Sequence, residues 1–423
     1  MSPTRRDFLR STVGSSALLS LTPTVPLFLY DTSVRAAQTD PRTRGENVLV
    51  IVQLSGGNDG LNTVVPYSDD AYHRNRSLLK IGRDAVLKID DGLGLHPSMR
   101  GMADLLERGE LAIVQGVGYP NPNRSHFESM DIWHTAQISP ADSAGRRTGW
   151  VGRYLDHAIE SDGRDIPALH LGGPRQPLAL AGRNVRAASV HSLEAFRLDD
   201  GGDLRLRRTV KEAADQPRDD APDLLRFLQR STVAALECSD RVQEALKNYS
   251  TPVAYPGTAL AQQLRTVAQL IDTGMSTRVY YLSLDGFDTH SQQAAAHAGL
   301  LTQFSQAVAA FFQDLHHHGQ AQRIVLMTFS EFGRRVKENA SAGTDHGVAG
   351  PIFLVGPAVA PGPIGPHPSL TDLIDGDLQH HTDFRRVYAT LIEKWLGFDS
   401  RPVLGDSYDP LPLLKEGALR RSG

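Results

Sequence analysis

Val48-Leu49-Val50-Ile51-Val52-Gln53-Leu54 is a near-continuous apolar run that stops at Gly56-Gly57 and opens into Asn58-Asp59-Gly60-Leu61-Asn62. Strands that alternate apolar and polar residues keep one face in water. A run without alternation fits a parallel strand covered on both faces. Four further runs have this character: Leu111 to Gly116, Arg278 to Leu284, Arg323 to Phe329 and Ile352 to Gly356. Amphipathic patterns lie between them. Pro97 to Leu106, Ala259 to Ile271 and Leu301 to Leu315 read as helices. The clearest pattern is Phe384, Val387, Tyr388, Leu391, Ile392, Trp395 and Leu396, with Thr382 or Asp383 as its cap and Gly397 as its end. Strands alternating with helices predict an α/β chain built on a mostly parallel, doubly wound sheet with helices on both faces.

The chain opens on Arg5-Arg6-Asp7-Phe8-Leu9-Arg10, a weakly apolar stretch through Leu29, and a small-residue end at Val34-Arg35-Ala36-Ala37. This is the grammar of an export leader over residues 1–36, and the paired arginines point to the twin-arginine translocase as a partner and to a periplasmic or secreted location. Pro23 and Pro26 interrupt the apolar stretch, which falls short of the ~20 residues of a bilayer span. The leader holds four basic and two acidic residues, leaving 40 basic against 46 acidic in the remainder, a net charge of −6. That balance gives no footprint for nucleic acid. Cys238 is the single cysteine, so no intramolecular disulfide forms and stability must come from burial; its helical surroundings, Leu224 to Leu246, read as a buried small apolar residue. Residues 37–423, with 40% apolar content across the chain, can bury a large core as one domain. The less regular, charged stretch 139–255 reads as an insertion or cap.

In open parallel sheets ligands bind beyond the carboxyl ends of the strands. There the runs deliver polar clusters: Asn58-Asp59, Arg124-Ser125-His126, Asp285 to His290, Ser330-Glu331, and Thr344-Asp345-His346 just ahead of the last run. Each alone also reads as a turn or a cap, and Ser125 with Glu128 three residues on fits a capping box. Together, carboxylates and imidazoles at one sheet edge suit hard or borderline divalent cations such as Zn, Mn or Ca, with a neighbouring hydroxyl as nucleophile. Arg124 reads as a clamp for a phosphate or sulfate oxygen, or equally as an exposed loop arginine. His316-His317-His318 ends a helix, where the dipole favours it.

The segments Gly56 to Pro66, Gly94-Leu95-His96-Pro97, Val114 to Tyr119 with Arg124 to Phe127, Gly286 to His290, Ser330 to Arg334, Asp345-His346-Gly347 and Asp383-Phe384-Arg385 resemble the DUF1501 proteins in order and over nearly the whole mature chain. These are exported bacterial proteins of uncharacterised function grouped with the alkaline phosphatase-like and sulfatase-like fold. The resemblance implies that fold, with metal ligands at Asp59, Asp288, His290, Glu331 and His346 and a nucleophile at Ser125. Phe332 stands where the superfamily carries an imidazole and Asp285 competes with Asp288, so the resemblance implies fewer ligands than a complete two-metal site. The expected activity is metal-dependent hydrolysis of a small-molecule or glycan phosphate or sulfate ester. The alternative is a catalytically inactive relative that binds a ligand at the envelope.

Export gives the first test. Translocase recognition reads the guanidinium pair, and lysines present a different geometry. Replacing Arg5 and Arg6 together with lysine is expected to leave the precursor in the cytoplasm, measured by fractionation; normal periplasmic accumulation would rule out the twin-arginine route.

Overall fold

The structure, a computed structural model, describes residues 46–138, 147–158, 167–173, 175–183, 187–190, 249–275 and 277–417. The leader with Arg5-Arg6, Cys238, the helical stretch around it, and most of 139–255 lie outside the described residues.

The apolar runs form the strands β1 (Val48–Ser55), β2 (Leu111–Gly118), β5 (Val279–Asp285), β6 (Ile324–Phe329) and β7 (Gly350–Val355) of one sheet. Short strands complete it: β3 (Ala168–Leu171), β4 (Ala188–Val190), β8 (Gly362–Ile364) and β9 (Thr382–Asp383). Its order is β8-β2-β7-β6-β1-β5-β3-β4, with β9 on β2. Strand β1 pairs in parallel with β5 and β6, as β3 does with its neighbours. The sheet is therefore mostly parallel, with one departure. Strand β7 runs antiparallel to both β2 and β6. Within 139–255, expected as an insertion, β3 and β4 are strands of this same sheet.

Alternate residues of β1 serve opposite layers. Val48, Val50, Val52 and Leu54 pack with helices at Arg100–Glu107, Ala259–Asp272 and Gln293–His317. Leu49 and Ile51 pack on the other face with α1 (His126–Thr135), the helix at Trp150–Ala158, and α2 (Phe384–Thr390). Burial on both sides explains why the strands show no polar alternation. Asp383 caps α2, accepting from the Arg385 backbone N–H at 2.9 Å. The apolar pattern beyond Thr390 continues as a π-helical turn, Leu391–Trp395, and Trp395 Nε1 donates to the Val48 carbonyl at 2.9 Å. Gly397 ends the segment at φ +74°. The described residues contain no helix long and apolar enough to cross a membrane.

Beneath the sheet edge lies a charged pair. Asp59 and Arg76 face each other with both side chains at 0% exposure. The guanidinium takes both Asp59 oxygens and also donates to the carbonyls of Val336 and Arg335. Removing one partner leaves a buried charge uncompensated, a loss of about 3–5 kcal/mol. Arg76→Met is expected to lower urea-unfolding stability by about that amount, and Arg76→Met with Asp59→Asn to recover part of it. A single variant within about 1 kcal/mol of wild type would show that the pair contributes little.

Candidate metal centre

Four segments meet at the carboxyl edge: the loops after β1, β2 and β5, and the connection from β6 to β7. Because β7 is antiparallel, the residues ahead of it stand at the same edge as the ends of the parallel strands. His346 joins the site for that reason. Gly56 (φ +115°) and Gly57 (φ +80°) let these loops close. A Cβ on Gly56 would sit 2.4 Å from the Asp288 backbone nitrogen, and one on Gly57 2.5 Å from the Phe332 ring.

The donor atoms of His126, Asp288 and His346 lie within 4.8 Å of one another. His126 Nε2 is 3.4 Å from Asp288 Oδ2, His346 Nε2 3.3 Å from Asp288 Oδ1, and His290 Nε2 3.0 Å from Asp288 Oδ1. The Nε2 atoms of His290 and His346 are 2.9 Å apart. The outer nitrogens are held elsewhere. His126 Nδ1–H donates to Glu331 Oε1 at 2.8 Å, His346 Nδ1–H to the Arg124 carbonyl at 2.8 Å, and His290 Nδ1–H faces Asp345 Oδ1 at 3.4 Å. For His126 and His346 these acceptors hold the proton on Nδ1 and turn the Nε2 lone pair inward, whereas His290 has a carboxylate at both nitrogens, with Asp288 the nearer.

Inward lone pairs beside a carboxylate call for a cation. His126 Nε2 is buried and has no hydrogen-bond partner. Tetrahedral ligands on ~2.0–2.2 Å bonds stand about 3.3–3.6 Å apart, close to the 3.4 and 3.3 Å that separate His126 and His346 from Asp288. The imidazoles of His126 and His346 and the Asp288 carboxylate form a three-residue donor set, with His290 Nε2 beside Asp288 and His346, that suits a borderline divalent ion such as Zn; Ca, which takes six to eight oxygens, fits it poorly.

The residues singled out in the sequence fall into distinct places. Asp288, His290 and His346 are brought together. Glu331 is buried beside them, but it accepts from His126 and from the Gly56 N–H instead of facing Asp288. Asp59 is not in the cluster. Its oxygens are taken by Arg76 and by Gln293 Nε2, so in this structure the expected ligand stands in a buried ion pair apart from the imidazoles. Asn58 and Asn62, from the same motif, are also buried in hydrogen bonds, to Thr63 and His297 and to Leu79 and Tyr72. Asp285 is exposed at the end of β5. Phe332 packs its ring against His126 and His346, at 4.9 and 4.6 Å between centroids. Ser125 is exposed at the N-cap of α1, and its side chain makes no cap bond, so the capping box does not form. The Arg124 guanidinium binds Asp377.

His126 is the ligand candidate that the sequence reading passed over, one residue beyond Ser125. A signal was present: His126 opens the helix that follows a strand end, directly beside the serine already singled out there. Arg334 was also missed as an organiser. It is fully buried and donates to the carbonyls of Gly56, Gly57, Phe287 and Thr344 and to Asp288 Oδ1.

The chain matches over residues 46–404 the family described as "Protein of unknown function (DUF1501)", and it belongs to that family. It is 31% identical over 123 residues to a "UPF0758 protein" of Stenotrophomonas maltophilia, covering 27% of this chain and 52% of that one, so it spans about half that relative's length. Among solved structures it is similar to a protein in the alkaline phosphatase superfamily from Vibrio parahaemolyticus (TM-score 0.40, 8% identity, 92% of this chain and 77% of that one). It is also similar to the lipoteichoic acid synthase LtaP from Listeria monocytogenes (0.38, 9%, 91% and 79%). A third is the PsFucS1 sulfatase from Pseudoalteromonas sp. (0.37, 10%, 97% and 75%). At these scores no activity passes from them to this chain.

Electrostatics at the centre give a pH test. Partial burial pushes the Asp288 carboxyl up, but the hydrogen bonds from Arg334 and His346 and the Arg334 charge hold it at about 2. Burial pushes His346 below its usual value, against the pull of Arg124 and Asp288. A carboxyl depressed on folding stabilises the protein above its unfolded value near 3.8, and that contribution is lost as pH falls through about 2. In metal-free protein, Asp288→Asn is expected to flatten the fall of unfolding stability between pH 4 and 2. Unchanged steepness in the variant would assign that acid limb to other carboxylates.

Proposed function

We propose that this chain is a metal-dependent hydrolase of phosphate or sulfate esters that uses one divalent cation held by His126, Asp288, His290 and His346. The observation that supports this most is the orientation of the His126 and His346 imidazoles, each tied at Nδ1 so that Nε2 faces Asp288. A divalent ion there would act as a Lewis acid on an ester oxygen and lower the pKa of a neighbouring hydroxyl. The chain supplies the rest. Ser125 directly precedes His126, is exposed, and leaves its hydroxyl uncommitted to capping, which suits a nucleophile. The first N–H groups of α1 and its dipole favour an anionic ester beside it. Phe332 keeps water from one side of the imidazoles. Asp288 and His290 are exposed, so the ester reaches the centre from solvent. With Asp59 engaged by Arg76, the reading needs one ion and not two.

The substrate in this reading is a small-molecule or glycan ester met in the periplasm after twin-arginine export. A second reading has one observation in its favour: the Arg124 guanidinium is bound to Asp377, which leaves the proposed anion clamp engaged. In that reading the chain binds an envelope ligand without turnover.

Purified protein loaded with Zn or Mn is expected to hydrolyse an aryl phosphate or an aryl sulfate, and Ser125→Ala to abolish turnover while metal content by elemental analysis stays at the wild-type level. Wild-type protein that holds the ion yet turns over neither ester class would replace hydrolysis with ligand binding. A wild type that holds no ion would end the metal reading itself.

A further inference from the structure

Asp377 lies outside the cluster, on a hairpin in which Asp377–Leu378 pairs with Leu373–Ile374. Its carboxylate is only 1% exposed. One oxygen takes the Arg124 guanidinium. The other is buried without a hydrogen-bond partner, with Arg335 Nε 3.9 Å away. A desolvated carboxylate satisfied on one side is an inefficient way to hold a hairpin together, since burial costs it more than one hydrogen bond returns. Its partners show what it does hold.

Residues Pro120 to Ser125 are all exposed, and Asn121 sits at φ +54°. This loop carries Ser125 and offers the Arg124 carbonyl that accepts from His346. Its other side-chain bonds are local: the Asn123 N–H to Tyr119 Oη at 3.0 Å and the Ser125 N–H to Asn123 Oδ1 at 2.7 Å. Among the described residues, the Arg124 side chain is, apart from the His346 contact, the tie that runs from the loop to a distant part of the chain. Arg335, the second arginine beside Asp377, donates its backbone N–H to the Asp345 carbonyl at 3.0 Å, next to His346. Both arginines thus border His346 through their main chains.

We propose that Asp377 is a positioning residue for the metal centre: by gripping Arg124 it fixes the loop that orients His346 and presents Ser125. Asp377 touches neither ion nor ester and acts through the Arg124 main chain. This rests on the metal reading above. Partners in such an outer layer typically alter metal affinity by 10–100-fold.

Two measurements on Asp377→Ala test it. In metal-free protein, the His346 Nδ1–H resonance, protected by the Arg124 carbonyl, is expected to be present in wild type and lost to tautomer averaging in the variant. With cobalt as the probe, the variant is expected to bind about tenfold more weakly with shifted visible bands. Asp377→Ala added to His346→Ala is expected to weaken cobalt binding no further than His346→Ala alone. Where Asp377→Ala does not fold by circular dichroism, Arg124→Ala, at an exposed position, cuts the same tie without opening a cavity. A folded variant that keeps the resonance and the wild-type cobalt affinity overturns the proposal. If wild type binds no cobalt, the metal reading fails separately, and the imidazole resonance alone decides the role of Asp377.

Discussion

A buried guanidinium organises this edge of the protein. Arg334 is shielded from water, so it needs oxygens from the chain, and four backbone carbonyls and one carboxylate accept from it, three of them at Nη2. Those oxygens come from the loop after β1, the loop after β5 and the segment ahead of His346. A guanidinium left short of acceptors in such a place costs several kcal/mol, so the three loops fold as one object or not at all. Arg76 repeats the device one layer deeper, with Asp59 as its counter-ion. The two arginines spend charge on geometry, and the imidazoles receive the benefit.

The sheet was legible in the chain because burial on both faces removes polar alternation, and that absence is visible residue by residue in Val48 to Leu54. Direction was not legible. Ile352 to Val355 is as apolar as its neighbours whichever way it runs, and only the pairing shows β7 reversed. The π-helical turn after Thr390 was hidden for a similar reason, since its apolar residues satisfy the helical spacing up to the point where Trp395 reaches Val48.

The site was half legible. Residue types at strand ends located the cluster, and Asp288, His290 and His346 meet there. A carboxylate's sequence position, however, does not say whether a metal or an arginine will claim it. Asp59 went to Arg76, which lies just beyond the Gly56 to Pro66 segment and outside the motifs themselves. His126 was masked by its neighbour, because a serine before a helix has a ready role as cap and draws attention from the residue that follows. In the folded protein the roles are nearly exchanged: the serine makes no cap bond and the histidine turns inward.

The reversal of β7 has a consequence for how this surface is held. A parallel successor to β6 would have needed a crossover of a dozen or more residues to return to the far edge before starting again. The connection 330–349 starts and finishes at the same rim, so its whole length is available there: Glu331, Phe332 and Arg334 near its start, Thr344, Asp345 and His346 near its end. Its middle is tied down as well: the Glu338 carboxylate accepts from the Leu78 and Leu79 N–H groups, Asn339 donates to the His290 carbonyl, and the Ser341 and Ala342 carbonyls accept from Gln292 and Gln293. One return connection thus both carries His346 and braces the loop that carries Asp288 and His290.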